Sequence, residues 1–304
     1  MVNFIAVRLM HGAIAVFFLM VLVFFLSSAA GDPLALLVPP GVSPEVEANI
    51  VRGLGLDQPL WRQFIIYVQD VLGGDLGTSF VTGRSVSEMI WDRLPASLRL
   101  IGPATALSVV LGVALGVVAA VSPSRTVRRS LETFAAVTMA APTFWIALVF
   151  IWIFAVTLGV LPTSRFGGLR HHILPIATLT LAMTPSFLRA MRSSILDVLG
   201  EEYIKMARLK GVSERMVIAK HALKNALSST VSLTAIYLSV LVTGSVTLET
   251  VFSWPGVGFM TYQALLQRDF PVIRGVVIIS GIGIVLVTLL SDLVQVSLDR
   301  RIRL

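Results

Sequence analysis

The chain has 304 residues, of which 56% are hydrophobic and only 13% charged, with a mean hydropathy of +0.87. A soluble domain is about a quarter charged and about half apolar, so this composition excludes a soluble enzyme and describes an integral membrane protein. The net charge of +7 is spread over short loops between apolar stretches, the pattern of membrane orientation and not of nucleic-acid binding, and the lack of cysteine excludes disulfides, thiol nucleophiles and cysteine-ligated zinc.

A hydrocarbon core of about 30 Å takes about 20 apolar residues in a helix. Such stretches fall at residues 4–28, 97–121, 131–158, 173–190, 227–248 and 272–297, so the expected fold is all-α with six transmembrane helices. Arg8 and the Ser28-Ala29-Ala30 tripeptide flank the first stretch as they would in a cleavable signal peptide. The apolar run from Leu9 to Leu26 is long for a signal core, so a retained anchor is expected over residues 1–28.

Residues 29–96 form the longest polar stretch, rich in Asp and Glu, and are expected as an extracytoplasmic loop with amphipathic pieces. Asp57-Gln58-Pro59 is a helix start, and Leu60, Phe64, Tyr67, Val68 and Val71 follow as an apolar stripe at helical spacing. The run Gly73-Gly74-Asp75-Leu76-Gly77 stops that helix. Residues 97–297 then hold five spans, with kinks expected from Pro142, Pro175 and Pro185, and residues 298–304 form a basic tail.

Within the spans the polar groups are mild, mostly Ser and Thr such as Ser108, Thr178, Thr184 and Ser239. Such hydroxyls commonly bond their own helix backbone. Arg99, Glu132 and Asp292 lie near span ends, and no charge sits mid-span, where it would serve a proton or ion pathway.

Residues 201–227 are a polar island carrying Lys205, Arg208, Lys210, Arg215, Lys220 and Lys224, which include every lysine of the chain. Tyr203, Met206, Ala207 and Lys210 share one helical face. Gly211 suits the left-handed residue that ends a helix, and Ser213 can cap a second short helix with Glu214 at its positive end. The expected shape is a hinged helical pair on the membrane surface, suited to docking a partner. Arginines and lysines concentrate in this island, in the 122–130 loop and in the tail, which makes both termini and the island cytoplasmic. On the other side, Glu249 to Gly258 includes Trp254-Pro255-Gly256, a tight turn expected to present an aromatic tip. That tip would either anchor at the lipid interface or contact a delivering protein at a pathway mouth.

Chemistry of its own is thin. A Walker A loop needs Gly-Lys-Ser/Thr, and no lysine here follows a glycine, so any ATP must be bound by other chains. His171 and His172 read as solvated loop histidines, not as a metal site. No nucleophile–base arrangement supports an intramembrane enzyme.

The island resembles the cytoplasmic loop of the permease subunits of bacterial ABC importers, in the form found in their dipeptide/oligopeptide branch. Tyr203, Ala207, Arg208, Lys210 and Gly211 fit that form, while Lys205 and Met206 stand where the general signature has Glu-Ala. The likeness extends along the chain through Leu54-Gly55-Leu56-Asp57, Gly74-Asp75-Leu76-Gly77, Arg93-Leu94-Pro95-Ala96-Ser97-Leu98, His221-Ala222-Leu223 with Asn225-Ala226-Leu227, and Glu249-Thr250-Val251-Phe252 with Trp254-Pro255-Gly256. The final Leu298-Asp299-Arg300-Arg301 is also similar, and the long loop after the first span resembles the first of the two paralogous permeases.

The resemblance implies a type I ABC importer permease fold and a subunit without catalysis, cofactor or metal. Its implied partners are a second paralogous permease, two cytoplasmic ATPase subunits, an extracytoplasmic binding protein, a peptide substrate and membrane lipid, with no nucleic acid. The same machine importing nickel, glutathione or another small solute is the first alternative, and an ion-coupled carrier the second. It further implies ATPase coupling through Tyr203, Lys205, Met206, Ala207, Arg208, Lys210 and Gly211, and a pathway mouth or binding-protein contact at Glu249, Phe252, Trp254, Pro255 and Gly256.

Overall fold

The computed structural model describes residues 2–29, 45, 51–52, 57–163, 166–243 and 246–298. Asp32 and Glu47 of the acidic loop, the Leu54-Gly55-Leu56 block, Ser245 and residues 299–304 of the tail lie outside the described residues. The described residues are helical, with a single isolated bridge between Thr78 and Ser85. In chain order the helices are α1 (Val2–Ala29), α2 (Leu60–Leu72), α3 (Val86–Val121), α4 (Arg125–Ala140), α5 (Thr143–Phe150, extended by π-helical Ile151–Thr157), α6 (Leu169–Leu199) and α7 (Glu202–Leu209). They continue as α8 (Glu214–Met216, π-helical Val217–Ala222, then Leu223–Thr243), α9 (Val246–Val251), α10 (Val257–Leu266) and α11 (Phe270–Leu298).

Four of these are long and apolar enough to cross a membrane: Ile5–Ser28, Val86–Val121, Leu169–Leu199 and Phe270–Val296. The expected third span is not one straight rod. It divides into α4 and α5, bent by 101°. Ala141 and Pro142 are both extended, with ψ of 127° and 139°, because a proline forces its predecessor out of the helical region and cannot donate to the preceding turn. Counted as one broken span, the pair makes five; the expected span at 227–248 overlies Leu223–Thr243 of α8, which does not count among them. Pro175 and Pro185, by contrast, sit inside an uninterrupted α6. Two spans also outrun their apolar windows. Helix α3 starts at Val86 and α6 runs on to Leu199, since polar residues end the lipid-compatible stretch without ending the backbone hydrogen bonding.

The centre of the bundle is the crossing of α3 and α6. The most apolar window of α6 is 56% buried, against 22% for α1, so α6 is the inner helix and α1 a peripheral one. Close approach is set by Gly112 and Gly116, one turn apart on α3. A Cβ at Gly116 would lie 2.7 Å from Met191 Cβ and 2.8 Å from the Leu188 carbonyl oxygen. One at Gly112 would collide with Phe187 Cβ and lie 3.1 Å from the Thr184 carbonyl oxygen. This is the small-residue packing by which membrane helices gain dispersion contact without a hydrophobic driving force. Above it, Leu100, Ala104, Leu174, Phe187, Leu248 and Trp254 form the largest core cluster.

The hydroxyls of the spans serve the backbone. Thr178, Thr184 and Ser239 each donate to the carbonyl four residues earlier, and Ser108 donates to Ala104 O at 2.7 Å and approaches Thr180 O of α6 at 3.2 Å. Charges near span ends pair between helices, Arg192 with Glu132 at 2.6 Å and Arg8 with Asp292 at 3.0 Å.

Substituting Gly116→Leu should lower the apparent melting temperature of the detergent-purified protein by several degrees, from overpacking of about 1–3 kcal/mol. Gly102→Ala, where a Cβ meets nothing within 4 Å, should leave it unchanged or slightly raised. Fluorescence-detected thermal unfolding of both variants checks this.

Candidate functional site

The polar island folds as a rigid corner at one end of the bundle. Helix α6 ends at Gly200, and α7 begins at once with Glu202. Gly211 has φ of +77°, the Gly211 N–H donates to Arg208 O at 2.9 Å, and the Val212 N–H donates to Ala207 O at 3.2 Å. Together these form a Schellman ending that requires a left-handed residue. A Cβ at Gly211 would meet nothing within 4 Å, so the glycine is there for its backbone angle and not for space.

Across this turn Arg208 grips Glu214 with two bonds, Nε to Oε2 at 3.0 Å and Nη2 to Oε1 at 2.6 Å. The bonds from Arg208 hold the Glu214 carboxyl below its ordinary pKa. Lys205 pairs with Glu202 at 2.6 Å.

Two expectations change here. Ser213 occupies the N-cap position, but its side chain makes no capping bond; only its carbonyl accepts, from Met216 and Val217. The second helix is not short either. It begins at Glu214, keeps helical dihedrals at Val217 and Leu223, and continues into the long apolar part of α8. The corner is thus one short helix joined through a fixed turn to a membrane-length rod. Ile204, which the sequence reading passed over, is wholly buried and seats α7, and Asn225 Nδ2 donates to Tyr203 Oη at 2.8 Å, tying α7 to α8. Ala222 and Ala226 pack against Met191 and Ile195 of α6.

The surface left open mixes apolar and basic groups, with Lys210, Arg215, Lys220 and Lys224 exposed and outside the two ion pairs. Met206 and Met216 are about half exposed and Leu209 is 81% exposed, with Tyr203 at their edge. Ala207 is half-buried, and Lys210 and Gly211 are exposed beside it.

At the opposite end of the bundle the expected aromatic tip is inverted. Trp254 is wholly buried, its Nε1–H donating to Ala96 O at 2.9 Å, and Phe252 is buried as well. Neither an interfacial anchor nor an exposed contact fits this tryptophan; the turn folds inward because its ring fills the space above α3. His172 and Phe166 meet its faces at centroid distances of 4.8 and 5.0 Å. The two histidines are therefore half-buried members of the first turns of α6, not solvated loop residues. No group of three or more metal-ligating side chains occurs among the described residues.

The centre of this turn is Glu249, fully buried. Its Oε1 accepts from Ser97 Oγ at 2.7 Å and its Oε2 from Phe259 N at 3.0 Å, while Ser97 Oγ accepts from Val257 N at 2.9 Å. Glu249 and Ser97 thus cap the first turn of α10 from two other helices, placing negative charge where the helix dipole is positive. Gly256 is packed against both side chains, and a Cβ there would collide with them. Pro255 is half-buried.

A second stitch lies nearby. Asp269 is buried, accepting from Ser79 Oγ at 2.5 Å and Phe80 N at 3.1 Å, and so fastens the 73–85 loop to the start of α11. Ser97 and Asp269 were not singled out in the sequence. Ser97 belongs to the Arg93–Leu98 segment, and nothing in the linear order pairs it with Glu249.

Residues 112–304 match the family described as binding-protein-dependent transport system inner membrane component, and residues 1–101 match its N-terminal companion. The glutathione transport system permease protein GsiC of Salmonella typhimurium strain LT2 is 38% identical over 304 residues, covering 100% of this chain and 99% of the relative. Its counterpart in Escherichia coli K12 is 35% identical over the same length. A chain from solved inward-facing structures of the MetNI methionine ABC transporter superposes with a TM-score of 0.60 at 18% identity, covering 70% of this chain and 97% of that one. With a rigid corner at one end, a stitched turn at the other and this likeness along its whole length, the chain belongs to the family of binding-protein-dependent transport system inner membrane components, the membrane-embedded permeases of ABC importers.

Proposed function

We propose that this permease forms, with a paralogous second permease, the pathway by which short peptides, glutathione among them, enter the cell across the cytoplasmic membrane. The observation that carries the reading is the rigid corner at the joint of α6, α7 and α8, with Met206, Leu209 and Met216 exposed on it, in a chain of this family. The full-length likeness to permeases named for glutathione transport supports the peptide class. Glutathione is itself a tripeptide, so the two expectations about substrate converge on one chemistry. Both termini are cytoplasmic in this reading, as the loop arginines and lysines imply. Residues 1–28 anchor, 29–96 lie outside, and 97–297 form the permease core.

Two ATPase subunits bind the nucleotide, and one of them receives the corner formed by Tyr203, Lys205, Met206, Ala207, Arg208, Lys210 and Gly211. The geometry changes what that cleft must offer. Lys205 and Arg208 already have acidic partners within the corner, so an acidic cleft would gain little from them. Met206, Leu209 and Met216 favour a cleft with an apolar floor, and exposed Lys210, Arg215 and Lys220, which lie outside those pairs, favour acidic groups at its rim. Closure of the ATPases pushes α7, and the fixed Gly211 turn passes the displacement into α8 and α6. At the other end Glu249, Phe252, Trp254, Pro255 and Gly256 act from inside, shaping the mouth by holding α10 and α3 together, while the binding protein meets the loops above them.

Three outcomes test this in the assembled transporter. Uptake of a labelled dipeptide should be suppressed by unlabelled short peptides, glutathione included, and not by nickel or free amino acids; suppression by nickel alone would refute the substrate class. Gly211→Val, which strains a left-handed backbone by roughly 1–2 kcal/mol, should leave the protein in the membrane but lower solute moved per ATP hydrolysed. Leu209→Asp should weaken ATPase co-purification about tenfold or more, since it buries an unpaired charge, whereas Lys205→Gln should change it little.

A further inference from the structure

Where α1, α2 and α11 meet, one cation has no acidic partner among the described residues. Helix α2 lies on α1 through Phe64, whose ring is 5.3 Å from that of Phe24, and through Tyr67, 5.6 Å from Phe24. Arg274, in the second turn of α11, places its guanidinium carbon 5.7 Å from the centre of the Tyr67 ring. No carboxylate reaches it among the described residues. Asp269, one turn earlier, is committed to Ser79 and Phe80. The Tyr67 hydroxyl beside it is buried and has no hydrogen-bond partner. A cation drawn out of water is costly unless paired, and an aromatic face offsets only about 0.5–2 kcal/mol of that cost.

The depth of Arg274 follows from the antiparallel packing of α1 and α11. Arg8 pairs with Asp292, Gly12 faces Val285 and Leu19 faces Gly281. Carried on, that ladder sets Arg274 level with the last turns of α1, at the end of both membrane helices. Arg274 is itself half-buried, and on the same helices Phe18, Leu22 and Leu26 of α1 and Trp61 of α2 are each more than half exposed. A guanidinium at a helix end beside bare apolar side chains matches a phospholipid, phosphate on the cation and acyl chain along α1.

We propose that Arg274 is a seat for a phospholipid phosphate, in the leaflet on the extracytoplasmic side, with Trp61 and the exposed face of α1 holding the acyl chain. The forked guanidinium donates to phosphate oxygens in the manner of an Arg–phosphate pair, and the Tyr67 ring fixes its plane. The α2 helix is then docked by lipid as well as by α1. Only the choice of leaflet rests on the orientation proposed above.

The test titrates dioleoylphosphatidylglycerol into the delipidated, detergent-purified transporter while thermal unfolding is followed. A saturable rise in melting temperature is expected. Dioleoylglycerol, with the same chains and no phosphate, should not reproduce it, and neither should glycerol 3-phosphate alone. Arg274→Gln should raise the half-effect concentration at least about tenfold, as for loss of a charge-assisted bond. Arg274→Lys should fall between, and Trp61→Ser should weaken the response without changing the lipid-free melting temperature. If Arg274→Gln does not assemble, the Lys and Ser variants decide alone: an unaltered lipid response in both overturns the proposal. It is also overturned if Arg274→Gln assembles and responds like the wild type, if dioleoylglycerol suffices, or if glycerol 3-phosphate saturates the effect. A wild type with no lipid response, as when a neighbouring subunit supplies the counter-charge, overturns it equally.

Discussion

The structure depends on how closely α3 and α6 approach. In lipid, two apolar helices gain little from burying side chains, because the acyl tails are equally apolar, so their association rests on dispersion contact between well-fitted surfaces. Gly112 and Gly116 remove the side chains that would hold the helices apart, and Phe187, Leu188 and Met191 fill the space. Both ends of the molecule hang on this crossing. The corner at residues 201–216 extends from the last turn of α6, and the buried turn around Trp254 is fastened to Ala96 and Ser97 in the first half of α3.

The two ends are built on opposite principles. At the Trp254 end, irregular backbone is sealed by long-range polar bonds. Glu249 and Ser97 together satisfy the first amides of α10, and Asp269 does the same for the 73–85 loop. Buried carboxylates are tolerable there because backbone N–H groups and hydroxyls surround them. At the other end the polar bonds are local and exposed, Arg208 to Glu214 and Lys205 to Glu202. Such surface pairs add little stability. Their effect is geometric: they hold the corner in shape and leave Met206, Leu209 and Met216 open beside exposed Lys210 and Arg215.

The shape of the corner also bears on transmission of force. A loosely hinged pair of helices would absorb a push from below. Here α7 is seated by Ile204, tied to α8 by the Asn225–Tyr203 bond and closed by a Schellman turn, and α8 continues without a break in its helical dihedrals. Displacement of α7 must therefore move α8 as a unit, and α6 with it through Ala222, Ala226, Met191 and Ile195.

The linear order of residues by itself determined the membrane setting, the all-helical class, the helix at residue 60 and the glycine ending at Gly211. Each follows from composition, periodicity or a local backbone requirement, which neighbours in sequence can express. Tertiary structure alone decided that Pro142 makes a right-angled break while Pro175 and Pro185 do not, since the outcome depends on whether neighbouring helices hold the segment straight. It alone turned Trp254 inward and joined Ser97 to Glu249 across 152 residues of chain and Ser79 to Asp269 across 190. Those are pairings between distant segments, fixed by which surfaces meet when the spans pack, and no periodicity in the sequence carries that information.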